Sequence, residues 1–157
     1  MNPSFKKCLE NKKIVPNPSA KRLVTKELET AKADLKEAQE SFEKGAYKWG
    51  TIQSYYAMFH GARALLYNKG YKERSHFCLA VALEALYVDT KLLPVKFSNA
   101  FRKAMSLRED ADYSVEFSKE GANIVITSAG DFLEEVEKIV KTTSKRELGD
   151  KGFILNL

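Results

Sequence analysis

Residues 47–69 read YKWGTIQSYYAMFHGARALLYNK, and this stretch decides the fold. Its apolar side chains recur three and four positions apart, at Ile52, Tyr55, Phe59, Ala62 and Leu66. This spacing places side chains on one face of an α-helix, so the pattern predicts a helix with one face in a core. Gly70 follows as a C-terminal cap, because glycine readily adopts the left-handed conformation that closes helices.

A second stripe runs beside the first and carries unusual polar groups. Its members are again three and four positions apart: Gln53, Tyr56, His60, Arg63 and Tyr67. A solvated helix face normally carries Lys and Glu, whereas these side chains combine apolar area with a polar tip and suit a groove or an interface. The stripe is therefore a candidate ligand-binding surface. The alternative interpretation is a half-buried, hydrogen-bonded seam between helices.

The same helical periodicity continues on both sides of this stretch. Asn17 and Ser75 are suitable N-terminal caps, and Gly45 stands where a C-terminal cap is expected. Further helices are predicted to begin at Pro18, His76, Pro94 and Ser118. Long amphipathic helices joined by short links predict an all-α protein, an up-and-down helical bundle of about five helices.

The length of 157 residues suits one domain, but the net charge of +5 is unevenly distributed. Residues 1–26 carry seven basic side chains and one acidic side chain, so the rest of the chain is close to neutral. We therefore expect a basic N-terminal arm at 1–17, a bundle at 18–144 and a C-terminal tail at 145–157. The arm is interpreted as a solvated segment, with phosphate contact as the alternative.

Cysteine and histidine usage excludes several kinds of site. Cys8 and Cys78 are far apart and follow no apolar signal segment, so we expect reduced thiols and a cytoplasmic location. With two histidines, no Gly-rich phosphate loop and no His-Glu-x-x-His motif, we expect no metal and no cofactor. No apolar run approaches the length that spans a membrane.

Two shorter segments also carry candidate ligand-binding residues. Arg74 and His76 flank the predicted cap Ser75, at a helix start where backbone N–H groups favour anions. Arg108 and Asp112 are four positions apart and can pair on one helix face. Ordinary capping and a helix-end ion pair are the structural alternatives at these two places.

Taken together, these segments resemble one known family, the HEPN domain family (higher eukaryotes and prokaryotes nucleotide-binding). The resemblance is carried, in this order, by SYYAMFHGARALL at 54–66, GYKERSH at 70–76, Arg108, Ala111, Asp112, Tyr113, Ala122, Ile126, Ala129, Phe132 and Leu133. It spans about residues 18–141. It implies a bundle of about five helices, a homodimer and a stand-alone prokaryotic chain.

The resemblance implies two kinds of function. Some members of the family act with a separately encoded minimal nucleotidyltransferase, as a substrate-binding subunit or in a toxin–antitoxin pair. Others are metal-independent RNases whose motif is Arg, four to six residues, then His. Neither His60 nor His76 follows an Arg at that distance. We therefore expect a non-catalytic nucleotide- or nucleic-acid-binding subunit. The alternatives are an RNase that uses His60, Arg63 or His76, and a structural dimerisation module.

Overall fold

The computed structural model describes the backbone of residues 1–113 and 117–155 and the side chains of residues 1–109 and 117–147. Its described part confirms the predicted all-α class, since the only strands there form one short antiparallel pair. The helices are α1 (Pro3–Glu10), α2 (Val24–Glu43), α3 (Tyr47–Asn68), α4 (His76–Leu83), α5 (Val95–Tyr113) and α6 (Lys119–Leu155). The strands are β1 (Ile14–Pro16) and β2 (Tyr71–Glu73).

Helix α3 lies at the centre of the bundle and packs against α2, α4, α5 and α6. Its predicted core stripe is buried at Tyr55, Phe59 and Leu66. Gly61 allows α6 to pass close to α3, because a Cβ atom at this position would lie 2.7 Å from Leu133 Cδ2. The polar stripe is therefore carried by the central helix of the bundle.

The helix boundaries agree with most of the capping signals in the sequence. Gly70, two positions beyond the last residue of α3, has the expected positive φ of 79°. The Ser75 hydroxyl accepts a hydrogen bond from the Cys78 N–H at 3.2 Å and caps α4. Pro18–Leu23 differs from the prediction, because it forms a 3₁₀ turn before α2 and the Asn17 side chain makes no capping bond.

The N-terminal segment is folded onto the bundle. Phe5 and Cys8 of α1 are buried, and so is Ile14 of β1. Strand β1 pairs with β2, with Val15 opposite Lys72. The expectation of a solvated arm was based on the lysines of this segment. Its few apolar residues instead pack into the core and hold the segment on the bundle. Residues 1–17 are therefore a packed part of the protein.

The two cysteines form a disulfide bond that joins α1 to α4, with Cα atoms 5.9 Å apart. The expectation of two reduced thiols was therefore wrong. Cys8 and Cys78 are separated by 70 positions, and only the packing of α1 on α4 brings them together.

At the other end of the chain, α6 continues to Leu155, so the expected tail from residue 145 is largely helical. The side chains of its apolar end, 153–157, lie outside the described residues. None of the described helices is both long enough and apolar enough to cross a membrane.

Candidate ligand-binding site

The polar stripe of α3 meets different neighbours along its length. Gln53, at one end, hydrogen bonds with a serine hydroxyl of α2. Tyr67, at the other end, is buried. Between them, His60 and Arg63 contact carboxylates of α2 and β2, whereas Tyr56 contacts α5. The five side chains thus belong to two separate polar clusters and to their flanks.

The first cluster, which we call the carboxylate cluster, consists of Glu27, Asp34, His60, Arg63 and Glu73. His60 Nδ1 lies 2.6 Å from Glu27 Oε2, and His60 Nε2 lies 3.7 Å from Asp34 Oδ2. Arg63 Nε and Nη2 both donate to Glu73 Oε1 at 2.8 Å. Arg63 Nη1 lies 3.6 Å from Glu27 Oε1. Both central side chains of the stripe are therefore engaged within the protein.

The charges of the carboxylate cluster do not favour an anion. It contains three acidic groups and one permanent cation, Arg63. The Glu73 side chain is only 6% exposed, and its Oε2 has no hydrogen-bond partner among the described residues. Burial raises the pKa of Asp34, an effect that the nearby His60 opposes. A phosphate at this place would have to displace a carboxylate from Arg63.

The Phe59 ring connects this cluster to a second one. The guanidinium carbon of Arg63 lies 4.4 Å from the centroid of Phe59, and the imidazole of His76 stacks on the same ring with centroids 4.5 Å apart. His76 stands at the start of α4. The packing of α4 on α3 therefore brings His76 and Arg63, two candidate residues from different parts of the sequence, to the same aromatic ring.

The second cluster, which we call the aromatic–cation cluster, consists of Tyr55, Tyr56, His76 and Arg108. The Tyr55 hydroxyl and His76 Nδ1 are 2.6 Å apart. Arg108 Nη2 donates to the Tyr56 hydroxyl at 3.2 Å, and its guanidinium carbon lies 5.8 Å from the centroid of that ring. Helices α3, α4 and α5 therefore each contribute to one small polar surface.

Titration properties in this cluster follow from burial and from Arg108. Burial raises the pKa of the Tyr55 hydroxyl, which therefore keeps its proton at neutral pH. Partial desolvation against Phe59 lowers the pKa of His76, and the positive charge of Arg108 lowers it further. The cluster at neutral pH therefore holds a neutral His76 imidazole and a protonated Tyr55 hydroxyl, beside the Arg108 guanidinium.

The remaining candidates are more peripheral. Arg74 is exposed, and its backbone N–H donates to the Lys13 carbonyl at 2.8 Å. The Asp112 side chain lies outside the described residues, and so does its predicted pairing with Arg108. Within the side chains that the structure describes, no group of His, Cys, Asp and Glu is arranged to hold a metal ion.

The sequence did not indicate four residues that define the two clusters. Tyr55 belongs to the apolar stripe, so its hydroxyl bond to His76 was not predicted. The three acids Glu27, Asp34 and Glu73 looked like ordinary surface residues. The only available signal was the position of Glu73 in the link that resembles the family motif.

These features define a class: an all-α bundle whose central helix carries aromatic, histidine and arginine side chains toward its neighbours. The chain belongs to the HEPN domain family, whose model matches residues 24–143. Residues 1–23, with α1 and β1, lie outside that match.

Relatives in archaea are similar over most of their length. A Methanocaldococcus jannaschii protein named "Putative toxin" is 28% identical over 115 residues, which cover 73% of this chain and 86% of that protein. A second protein of the same name and organism is 26% identical over 120 residues, covering 75% and 82%. A UPF0332 protein of Archaeoglobus fulgidus is 30% identical over 118 residues, covering 73% and 94%. The family and these names fit a toxin–antitoxin context or a nucleotide- or RNA-related role.

Proposed function

We propose that this chain is a non-catalytic nucleotide- or nucleic-acid-binding subunit that acts with a separately encoded minimal nucleotidyltransferase, as one component of a toxin–antitoxin pair. Membership of the HEPN family and the names of the relatives support the context. The ligand's phosphate binds at the aromatic–cation cluster, where Arg108 supplies positive charge and His76 and Tyr56 supply polar tips.

The hydrogen bond between Tyr55 and His76 carries the non-catalytic part of this proposal. The proposal assigns the Tyr55 hydroxyl, which burial keeps protonated, as the donor to His76 Nδ1. A neutral imidazole has one proton, which must then be on Nε2. The outward nitrogen is therefore a hydrogen-bond donor for a phosphate oxygen. It cannot accept a proton from a ribose hydroxyl as a general base would.

The carboxylate cluster has a supporting role in this proposal. Arg63 is held by Glu73 and Glu27, so its charge is largely compensated before any ligand arrives. A cation that stabilises developing negative charge in a transition state should be preorganised and available to the phosphate. His60 and Arg63 therefore fix β2 and α2 against α3.

Calorimetric titration with AMP tests the binding site. Arg108→Gln should weaken binding about tenfold or more, because a charge-assisted hydrogen bond contributes ~1.5–3 kcal/mol. Arg102→Gln is the matched control, because Arg102 lies on the same helix and pairs with Glu84 outside the aromatic–cation cluster. Equal AMP affinity for the two variants and the wild type would contradict the site.

The partner is tested in the native cell. An affinity-tagged copy of the chain should co-purify with a small nucleotidyltransferase, identified by mass spectrometry. Recovery of the tagged chain with no nucleotidyltransferase would contradict that part of the proposal, whereas the AMP titration would be unaffected.

A metal-independent RNase is the second candidate, and one observation favours it. His76 has a lowered pKa and lies next to the cation of Arg108, which is the combination that a general base and a phosphate-binding group require. It requires the opposite tautomer, in which His76 Nδ1 donates to Tyr55 and Nε2 is the base. RNA cleavage in the presence of a chelator distinguishes the two functions.

A further inference from the structure

A cavity of about 390 Å³ lies between the N-terminal segment and the start of α4. Lys7 and Lys13 line it from the N-terminal side, and Ser75 and Phe77 line it from α4. Its volume is within the range of small-ligand pockets. Because α1 and β1 precede the matched region 24–143, this cavity depends on a part of the chain that the family match does not cover.

Phe77 is an unusual side chain for its position. It is 60% exposed, although phenylalanine is normally buried, and it directly follows His76. The guanidinium carbon of Arg102 lies 6.0 Å from its ring centroid. An exposed aromatic face beside a cavity is a surface on which a nucleobase can stack, since every base has a π-face.

The N-terminal segment provides positive charge at the cavity. Within the side chains that the structure describes, neither Lys7 nor Lys13 forms a salt bridge, whereas the nearby Lys6 pairs with Glu10. Two lysines of the N-terminal segment, which form no salt bridge with the described side chains, and an exposed aromatic ring of α4 match the combination found in sites for single-stranded nucleic acid.

We propose that this cavity binds single-stranded RNA, with one base stacked on Phe77 and the adjoining phosphates on Lys7 and Lys13. The proposal rests on the proposed function, because it extends the ligand at the neighbouring His76 by at least one nucleotide. An acidic protein segment could also meet the two lysines, but it would make no use of the flat, exposed Phe77 ring. The observations therefore favour RNA.

Fluorescence anisotropy with a labelled oligoribonucleotide and the full-length, disulfide-bonded protein tests the proposal. Phe77→Ala should raise the Kd about tenfold, as expected for the loss of one stacked base. Lys7→Glu with Lys13→Glu should also raise it. In that double variant, the slope of log affinity against log salt should fall by about 1.4, since each phosphate contact on a single strand contributes about 0.7.

Trp49 and Lys48 provide a matched control. Trp49 is 56% exposed and has the Lys48 ammonium 5.6 Å from its ring centroid, but neither residue lines this cavity. Trp49→Ala and Lys48→Glu should leave the Kd for the oligoribonucleotide unchanged. If these control variants lost as much affinity for the oligoribonucleotide as the cavity variants, any exposed aromatic–lysine pair would contribute to RNA binding. That result would overturn the proposal.

A second readout does not depend on variants that weaken binding. Trp49 is the single tryptophan of the chain, so Trp49→Phe combined with Phe77→Trp moves the fluorophore into the cavity. The oligoribonucleotide should then quench the emission with the same Kd that anisotropy gives. Binding without quenching, no binding by the wild type, or quenching by polyglutamate but not by RNA would each overturn the proposal.

The AMP titration separates this inference from the proposed function. If the cavity variants bind AMP normally and lose affinity for the oligoribonucleotide, both proposals stand. If Arg108→Gln loses AMP binding while the cavity variants keep full RNA affinity, only the inference fails. If AMP does not bind but the cavity variants lose RNA affinity, only the proposed site at Arg108 fails.

Discussion

Three neighbours of His76 affect the hydrogen bonding and the protonation of its imidazole. Tyr55 contacts its Nδ1, Phe59 covers one face of the ring, and Arg108 places a positive charge nearby. Desolvation and the cation both disfavour a protonated imidazole. A neutral histidine that accepts a hydrogen bond on its inner nitrogen, as the proposal assigns, is suited to donate from its outer nitrogen.

The titration of His76 provides a prediction at this scale. Its pKa should lie below the ordinary value of 6.5, and Arg108→Gln should raise it, because the variant removes a positive charge. NMR of the imidazole nitrogens over a pH series measures both effects and identifies the tautomer. Because the pKa of His76 is lower in the folded protein than in the unfolded chain, protonation of His76 destabilises the fold. The contribution of the neutral imidazole to the free energy of unfolding is present above pH 6.5 and is lost as the pH falls through the lowered pKa.

Arg102→Gln is again the control, because Arg102 lies on the same helix and pairs with Glu84. A pKa for His76 at or above 6.5 in the wild type would contradict this description of the cluster. Detection of the proton on Nδ1 would favour the RNase tautomer.

Among the elements, α3 and its closure at Gly70 were predictable from local sequence, and the N-terminal segment was not. Helical spacing and Gly70 determine α3 through interactions within a few residues. The β-branched run at 123–127 also lies within helix α6. The positions of Phe5, Cys8 and Ile14 instead depend on contacts with residues far along the chain, which spacing does not reveal.

The disulfide between α1 and α4 provides a prediction for the N-terminal segment. Cys8→Ser with Cys78→Ser should lower the free energy of unfolding by ~2–4 kcal/mol, because the bond restricts a long loop in the unfolded chain. Urea unfolding with and without dithiothreitol measures the change. The reductant should destabilise the wild type to the level of the variant and leave the variant unaffected. Two titratable thiols in the native, unreduced protein would contradict the bond.

The pairing of Arg63 with Glu73 fixes β2 against α3, which leads to a prediction about this strand. Arg63→Ala should lower the free energy of unfolding by about 3 kcal/mol, because it leaves the nearly buried Glu73 carboxylate without its partner. Adding Glu73→Gln should restore part of the loss, since the uncompensated charge is then removed. Thermal or urea unfolding measures both.

Lys32→Ala is a matched control for this ion pair. Lys32 pairs with Glu137, but its side chain is 60% exposed, so its loss should cost at most about 1 kcal/mol. Equal destabilisation by Lys32→Ala and Arg63→Ala would show that burial does not determine the strength of these pairs.

For the whole molecule, we predict a symmetric homodimer. The exposed apolar side chains of Trp49, Val95 and Ile124 provide surface that one small bundle leaves uncovered. Light scattering after size-exclusion chromatography at micromolar concentration should give twice the mass of 17.8 kDa. A mass of one chain under these conditions would contradict the prediction.

How far the candidate site was predictable depends on the kind of contact. Helical spacing correctly grouped His60 with Arg63 on one face of α3, and the link sequence indicated His76. The separation into a carboxylate cluster and an aromatic–cation cluster could not be predicted, because Glu27 and Arg108 reach α3 from other helices. Sequence reasoning thus identified the candidates, and tertiary packing determined their partners.

The central claim is that the protein binds a nucleotide or RNA without cleaving it. The most direct measurement incubates labelled RNA with the purified wild type, His60→Ala and His76→Ala, in the presence of EDTA. Retarded mobility on a native gel and the RNA length on a denaturing gel are then compared. We predict that the wild type retards the RNA and leaves it intact. Chelator-resistant cleavage by the wild type that is lost in either variant would contradict the claim and identify the protein as an RNase.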